Sequence, residues 1–126
     1  MSVKYNVVQR ANPGNREAPG KFYPSIFSNG RITTREVAEM AAERSTLSAM
    51  DMMAAIESFL AIIPQQLAKG YIIELGDFGN FWLKSTADGA ELPDDVRSDQ
   101  ITSLMPRFMP SKEFKITLEH IAFEKA

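Results

Sequence analysis

The chain has 126 residues, 44% of them hydrophobic, with 14 Lys and Arg against 16 Asp and Glu and a formal net charge of −2. That length sets a single domain as the expectation, and the apolar content supports a packed core and excludes global disorder. No cysteine is present, which excludes a disulfide framework and a thiolate metal site, and no apolar run of about 18 residues exists to span a membrane.

The first residues, Met-Ser-Val-Lys-Tyr-Asn-Val-Val, hold no signal-peptide apolar stretch, so the expected location is the cytoplasm. Charge is unevenly spread. Residues 1–35 carry six Lys or Arg and one Glu, residues 36–100 four and twelve acids, and residues 101–126 four and three. An acidic pI of about 5.4 does not by itself point to a polyanion as partner.

Val3 to Arg10 alternates through Val3, Tyr5 and Val7 and reads as a strand. Ala11 to Gly20 is a Pro, Gly and Asn loop. Lys21 to Ser28 reads as a second strand, and Pro24 confines it to an edge or a bulge. Together they predict an N-terminal β-hairpin over residues 1–30, after which Asn29-Gly30 turns the chain. Thr33-Thr34-Arg35-Glu36 has the form of a capping box, so a first helix is expected from Thr34 to about Arg44. Ser48-Ala49-Met50-Asp51 repeats the device and opens a second helix from Ala49 to Lys69, with Gly70 as its C-cap. Residues 33–69 are thus a helical hairpin, with Pro64 expected to kink its second member.

The second helix carries two apolar stripes. Met53, Ile56, Leu60, Ile63 and Leu67 can face this chain's own sheet, while Met52, Ala55, Phe59 and Ile62 predict the interface of a homodimer. In Gly70-Tyr-Ile-Ile-Glu-Leu-Gly76-Asp77-Phe78-Gly79-Asn80-Phe81-Trp82-Leu83-Lys84, two apolar runs flank a turn bracketed by Gly76 and Gly79, which take positive φ without a Cβ penalty. Phe78 and Phe81 are expected to point into a core. Phe81 to Lys84 reads as a strand. Ser85 to Gln100 is polar, with five acids against Arg97, and reads as an exposed loop or a β-arm. Ile101 to Met109 returns as a strand, completing a sheet over residues 71–109. A short helix follows at 111–120, and Ala122 to Lys125 suggests a final strand.

Catalytic chemistry finds little footing. His120 is the one histidine and has no visible triad or metal partners. Asp77-Phe78-Gly79 matches a kinase tripeptide, but no phosphate loop or catalytic loop accompanies it. Asp94, Asp95 and Asp99 lack the spacing of an EF-hand. No catalytic, metal or cofactor residue and no small-molecule substrate is predicted, and the chain is read as not an enzyme.

Three segments in order carry a resemblance. They are the helical hairpin ending in Lys69-Gly70, the Gly76-x-Phe78-Gly79-x-Phe81 turn, and Arg107-Phe108-Met109-Pro110-Ser111-Lys112-Glu113-Phe114. Over about Thr33 to Glu119 the chain resembles the bacterial histone-like HU/IHF family of DNA-binding proteins. The added residues 1–30 are similar to those of extended HU-like variants. The resemblance implies an α+β fold over 1–126, with a helical hairpin on an antiparallel sheet, a β-arm at 85–100, a short C-terminal helix and the extra hairpin. It implies a nucleoid-associated homodimer that binds duplex DNA through phosphates with low sequence specificity and bends it.

On matching positions, Lys84 begins the arm, Arg107 ends it, and Lys112 and Lys115 lie on the last helix. With Arg97 in the arm, these are the expected DNA-binding residues. Lys4, Arg10, Arg16, Lys21 and Arg31 are further candidate phosphate contacts on the extra hairpin. The chain departs from the family where Ser111 replaces a glycine. It departs again at the arm, where Asp88, Glu91, Asp94, Asp95 and Asp99 surround Pro93 and Arg97. A second expectation therefore stands beside the first: a structural or protein-interaction module that keeps the HU-like dimer and offers its acidic arm to a basic protein partner.

Overall fold

Local capping chemistry fixes the helices in the computed structural model, which describes every residue except Arg16. Helix α1 spans Thr34–Glu43 and α2 spans Ala49–Ala68. Ser48 stays extended (φ −70°, ψ 163°), and its Oγ accepts the Asp51 N–H at 3.1 Å, satisfying one of the donors a helix start leaves open. The helix continues as one element through Pro64. It ends in a Schellman motif: Gly70 takes φ +88°, its N–H reaches Leu67 O at 2.9 Å, and the Tyr71 N–H reaches Gln66 O at 3.3 Å.

Residues Thr34–Ile116 form one compact unit. Within it, β3 (Ile73–Glu74), β4 (Gly79–Ala87) and β5 (Ile101–Pro110) make an antiparallel sheet in the order β3-β4-β5. The turn from β3 to β4 is closed by Phe78 N–H to Leu75 O and Leu75 N–H to Gly79 O, with Gly76 at φ +54° and Gly79 at φ +148°. Gly79 answers to a close approach as well. A Cβ there would stand 2.4 Å from Met109 O and 2.6 Å from the Phe108 ring.

β4 is longer than the expected Phe81–Lys84. It runs to Ala87 and pairs with β5 from Gly79↔Pro110 to Thr86↔Ser103, with a bulge between Thr86 and Ala87. The base of the arm is therefore a β-ribbon. Beyond it, the Asp88 N–H reaches Gln100 O at 3.0 Å, and the tip carries two 3-10 turns, Pro93–Asp95 and Ser98–Gln100. Helix α3 spans Lys112–Glu119.

Met1–Thr33 and Thr117–Ala126 form the second unit. Strands β1 (Ser2–Arg10) and β2 (Lys21–Ile26) make the expected hairpin, in register from Tyr5↔Ile26 to Arg10↔Lys21. β2 lies at an edge, as Pro24 requires. The last strand, β6 (Ala122–Lys125), joins β1 in parallel register from Ser2↔Ala122 to Tyr5↔Lys125. The extra hairpin is thus a three-stranded mixed sheet rather than a free two-stranded ribbon, because a lone hairpin is marginal in water.

The apolar side chains are only partly gathered. Phe78, Phe81, Phe108 and Phe114 form one cluster, with ring centroids 4.7 to 6.0 Å apart in tilted, stacked and edge-on pairs. Among the described residues, the buried apolar side chains are Ala38 and Leu67. On α2, the stripe expected to face the chain is half-buried to buried except Leu60, while Phe59 (46% exposed) and Ile62 (52%) on the other stripe remain open.

Candidate nucleic-acid interface

A strand's side chains alternate between faces, so the β4–β5 register sorts them. Phe81 opposes Phe108 on the aromatic face, and Trp82 opposes Arg107 on the other. Lys84, two residues after Trp82, shares the face of Arg107 and opposes Met105. Both cations are exposed. Among the described residues neither makes an ion pair, so their charges are available to an external anion.

The aromatic cluster positions the next candidates. Ser111 precedes α3 and ties it to the glycine turn: its N–H donates to Phe78 O at 3.1 Å and its Oγ donates to Asp77 O. The same Oγ accepts the Phe114 N–H at 3.1 Å, making Ser111 the N-cap of α3. Where the family pattern has a glycine, a serine here fastens turn to helix. Lys112 and Lys115 follow in the first turn, both exposed and without an ion pair among the described residues. An anion there would meet the positive end of the helix dipole.

Arg97 lies between the two 3-10 turns of the arm tip, with Asp94, Asp95 and Asp99 close in sequence and Asp88 and Glu91 before them, all exposed. The structure thus separates Arg97 from the other candidates by the length of the arm and sets it in an acidic tip.

In the other unit, Lys4, Arg10 and Lys21 share one face of the three-stranded sheet, since Arg10 opposes Lys21 and Lys4 lies three alternations before it. Glu124 stands beside Lys4. The Arg10 guanidinium sits over the Tyr23 ring, 5.7 Å from its centroid, a cation–π contact. Arg31 is exposed in the segment after Gly30, and Arg16 lies outside the described residues. Asn80, Trp82, Met105 and Met109 accompany Lys84 and Arg107, although sequence reading did not single them out. Counting alternate residues from Lys84 would have found Trp82 and Asn80, but the β5 partners needed the register.

The helical hairpin, glycine turn, arm and final helix together are the HU/IHF-like fold. The chain belongs to the HU-HIG family, an HU domain fused to wHTH, Ig, or Glycine-rich motif, whose family model matches residues 1–125. It is 30% identical over 95 residues to integration host factor subunit beta of Marinobacter nauticus, covering 67% of this chain and 89% of that protein. Anabaena HU, solved in a crystal with DNA, superposes with a TM-score of 0.57 at 18% identity, over 71% of this chain and 99% of that one. A candidate bacterial DNA-binding protein from Bacteroides vulgatus superposes with a TM-score of 0.66 at 9% identity, over 98% of this chain. The chain spans about half the length of that structure, 48%.

Proposed function

We propose that this chain is a non-enzymatic, HU-like DNA-binding protein of the nucleoid in the cytoplasm. It holds duplex DNA through phosphate contacts with low sequence specificity and bends it. The observation that carries this reading is the exposed pair Lys84 and Arg107 on one face of the β4–β5 ribbon, opposite the aromatic cluster. Membership of the HU-HIG family supports it, as does similarity to an HU solved with DNA. Lys112 and Lys115 at the start of α3 extend the contact, and Arg97 reaches a more distant phosphate from the arm tip. Lys4, Arg10 and Lys21 on the N-terminal sheet, and Arg31 in the segment after Gly30, add phosphate contacts. Residues 1–126 work as a single HU-like domain.

The working particle is a homodimer. The open α2 stripe of Phe59 and Ile62 supports this, because such a surface is costly to leave in water. Anisotropy of a labelled duplex titrated at two salt concentrations tests the DNA reading. Log affinity falls with log salt at a slope of about −0.9 per phosphate neutralised, and Lys84→Glu and Arg107→Glu each make the slope shallower by about that amount. No binding at low salt overturns it. That outcome would favour a second reading, supported by the five exposed acids of the arm, in which the tip engages a basic protein.

A further inference from the structure

The three-stranded sheet β2-β1-β6 has two unlike faces. On one, Tyr5 and Val7 of β1 stand beside Ile26 and Pro24 of β2, Phe22 lies one alternation further along β2, and Phe123 of β6 is in register with Val3. Phe22 is 68% exposed, and Ile26 and Phe123 are 65% exposed. Among the described residues of the three strands, Lys125, in register with Tyr5, is the one charge on this face. The opposite face carries Lys4, Arg10, Lys21 and Glu124.

The edges of this sheet are poor templates for another strand. The Phe27 N–H donates to Lys4 O at 2.8 Å, so alternation turns the nitrogen of Pro24 outward, where it has no hydrogen to donate. On β6 the Ala122 N–H goes to Met1 O and the Ala126 N–H to Tyr5 O, which leaves only Phe123 and Lys125 to present the outer edge. A short edge bearing a lysine resists pairing. The apolar face is the surface left open.

Charge and area decide what covers it. An anionic lipid surface calls for cations beside the apolar residues, and Lys4, Arg10 and Lys21 lie on the far side. A small ligand would rest between rings that are two-thirds open to water, whereas ligand sites enclose most of their guest. A second copy of the same sheet brings an apolar face of equal size, and sheets pack well face to face. The exposed side chains offer on the order of 500 Å², so two copies would remove roughly 1,000 Å² from water, the lower bound for a specific interface.

We propose that two copies of this chain pack these apolar sheet faces together about a two-fold axis. The contact is separate from the α2 stripe and stands without it. The larger assembly does rest on the α2 dimer of the reading above. A chain with two self-complementary faces joins dimers into tetramers or open-ended rows.

Sedimentation over a wide concentration range tests this, with the parent beside Phe22→Gln/Phe123→Gln and Phe59→Gln. The sheet changes add no charge and fall on exposed rings. The parent's mass should climb past that of two chains, and the double variant should stop at two. A parent that stops at two chains while the double variant is a monomer would keep the sheet contact and remove the α2 dimer. Equal masses for parent and double variant would overturn the sheet contact, and Phe59→Gln would then report on the α2 dimer by itself. Hydroxyl-radical footprinting of the parent needs no variant to fold. Oxidation of Phe22 and Phe123 should fall as concentration rises, while that of Leu92 at the arm tip, 61% exposed, holds steady. Unchanged oxidation would overturn the proposal. So would protection gained only on adding anionic phospholipid vesicles, which would give the face to a lipid surface.

Discussion

Three residues hold the glycine turn, the ribbon and α3 in one arrangement, and each gives a measurable cost. Gly79→Ala adds a Cβ against Met109 O at a φ of +148°, which L side chains avoid. The variant should lose about 2 kcal/mol or more, read as a lower denaturation midpoint at constant m. Ser111→Ala removes the cap on Phe114 N–H and should cost about 1 kcal/mol, whereas Ser111→Gly should cost only a few tenths. Phe108→Ala removes the ring that touches Phe78, Phe81 and Phe114 together. Because Phe108 is 39% exposed, we expect about 2 kcal/mol rather than the 3 to 5 of a sealed core site. The positive φ of Gly76 and Gly79 was legible in the sequence, since spacing and residue type determine a tight reversal. The role of Ser111 was not, because its Asp77 partner lies 34 residues away and only the closed turn brings them together.

Among the elements, those with local signals came through and those defined by a distant partner did not. Ser48 and Gly70 announce the ends of α2 in their own chemistry. The extension of β4 through Ser85 and Thr86 stood open between a loop and a β-arm, because a ribbon solvated on both faces needs no apolar alternation. Only the register with β5 and the 3.1 Å bond from Thr102 Oγ1 to Thr86 O reveal it. The arm tip carries its own prediction. Within a Debye length of about 8 Å, exposed carboxylates repel a phosphate that Arg97 would hold. Replacing Asp94, Asp95 and Asp99 with Asn should therefore tighten duplex binding several-fold at low salt, an advantage that fades as salt rises. Anisotropy titration of this triple variant beside the parent reads that difference directly. Weaker binding would mean that the acids serve a protein partner or the arm's own folding.

For the whole molecule, the decisive quantity is how little one chain seals off. With Ala38 and Leu67 its buried apolar side chains among the described residues, much of the stability should come from a second copy. A tenfold rise in chain concentration should then add about 1.4 kcal/mol to apparent stability and raise the melting temperature. A melting temperature independent of concentration over two decades would reject the dimer. The open stripe that supports this was visible in the helical periodicity of α2, as Phe59 and Ile62 four and seven residues on from Ala55 illustrate.

The parallel pairing of β6 with β1 joins residues 2–5 to residues 122–125. A ribosome delivers the first of these strands long before the last. The early hairpin must therefore wait, with one strand edge unclaimed, until residues 122–125 have emerged. Such distant closure is slow compared with coiling of α1 and α2, which need only their immediate surroundings. Assembly should accordingly run from the middle of the chain outward, with amide protection in α1 and α2 rising before that of β1 in pulsed hydrogen exchange. The appended sheet becomes the late-fastened clasp, and a chain cut just before Ala122 would have its helices made and its clasp open.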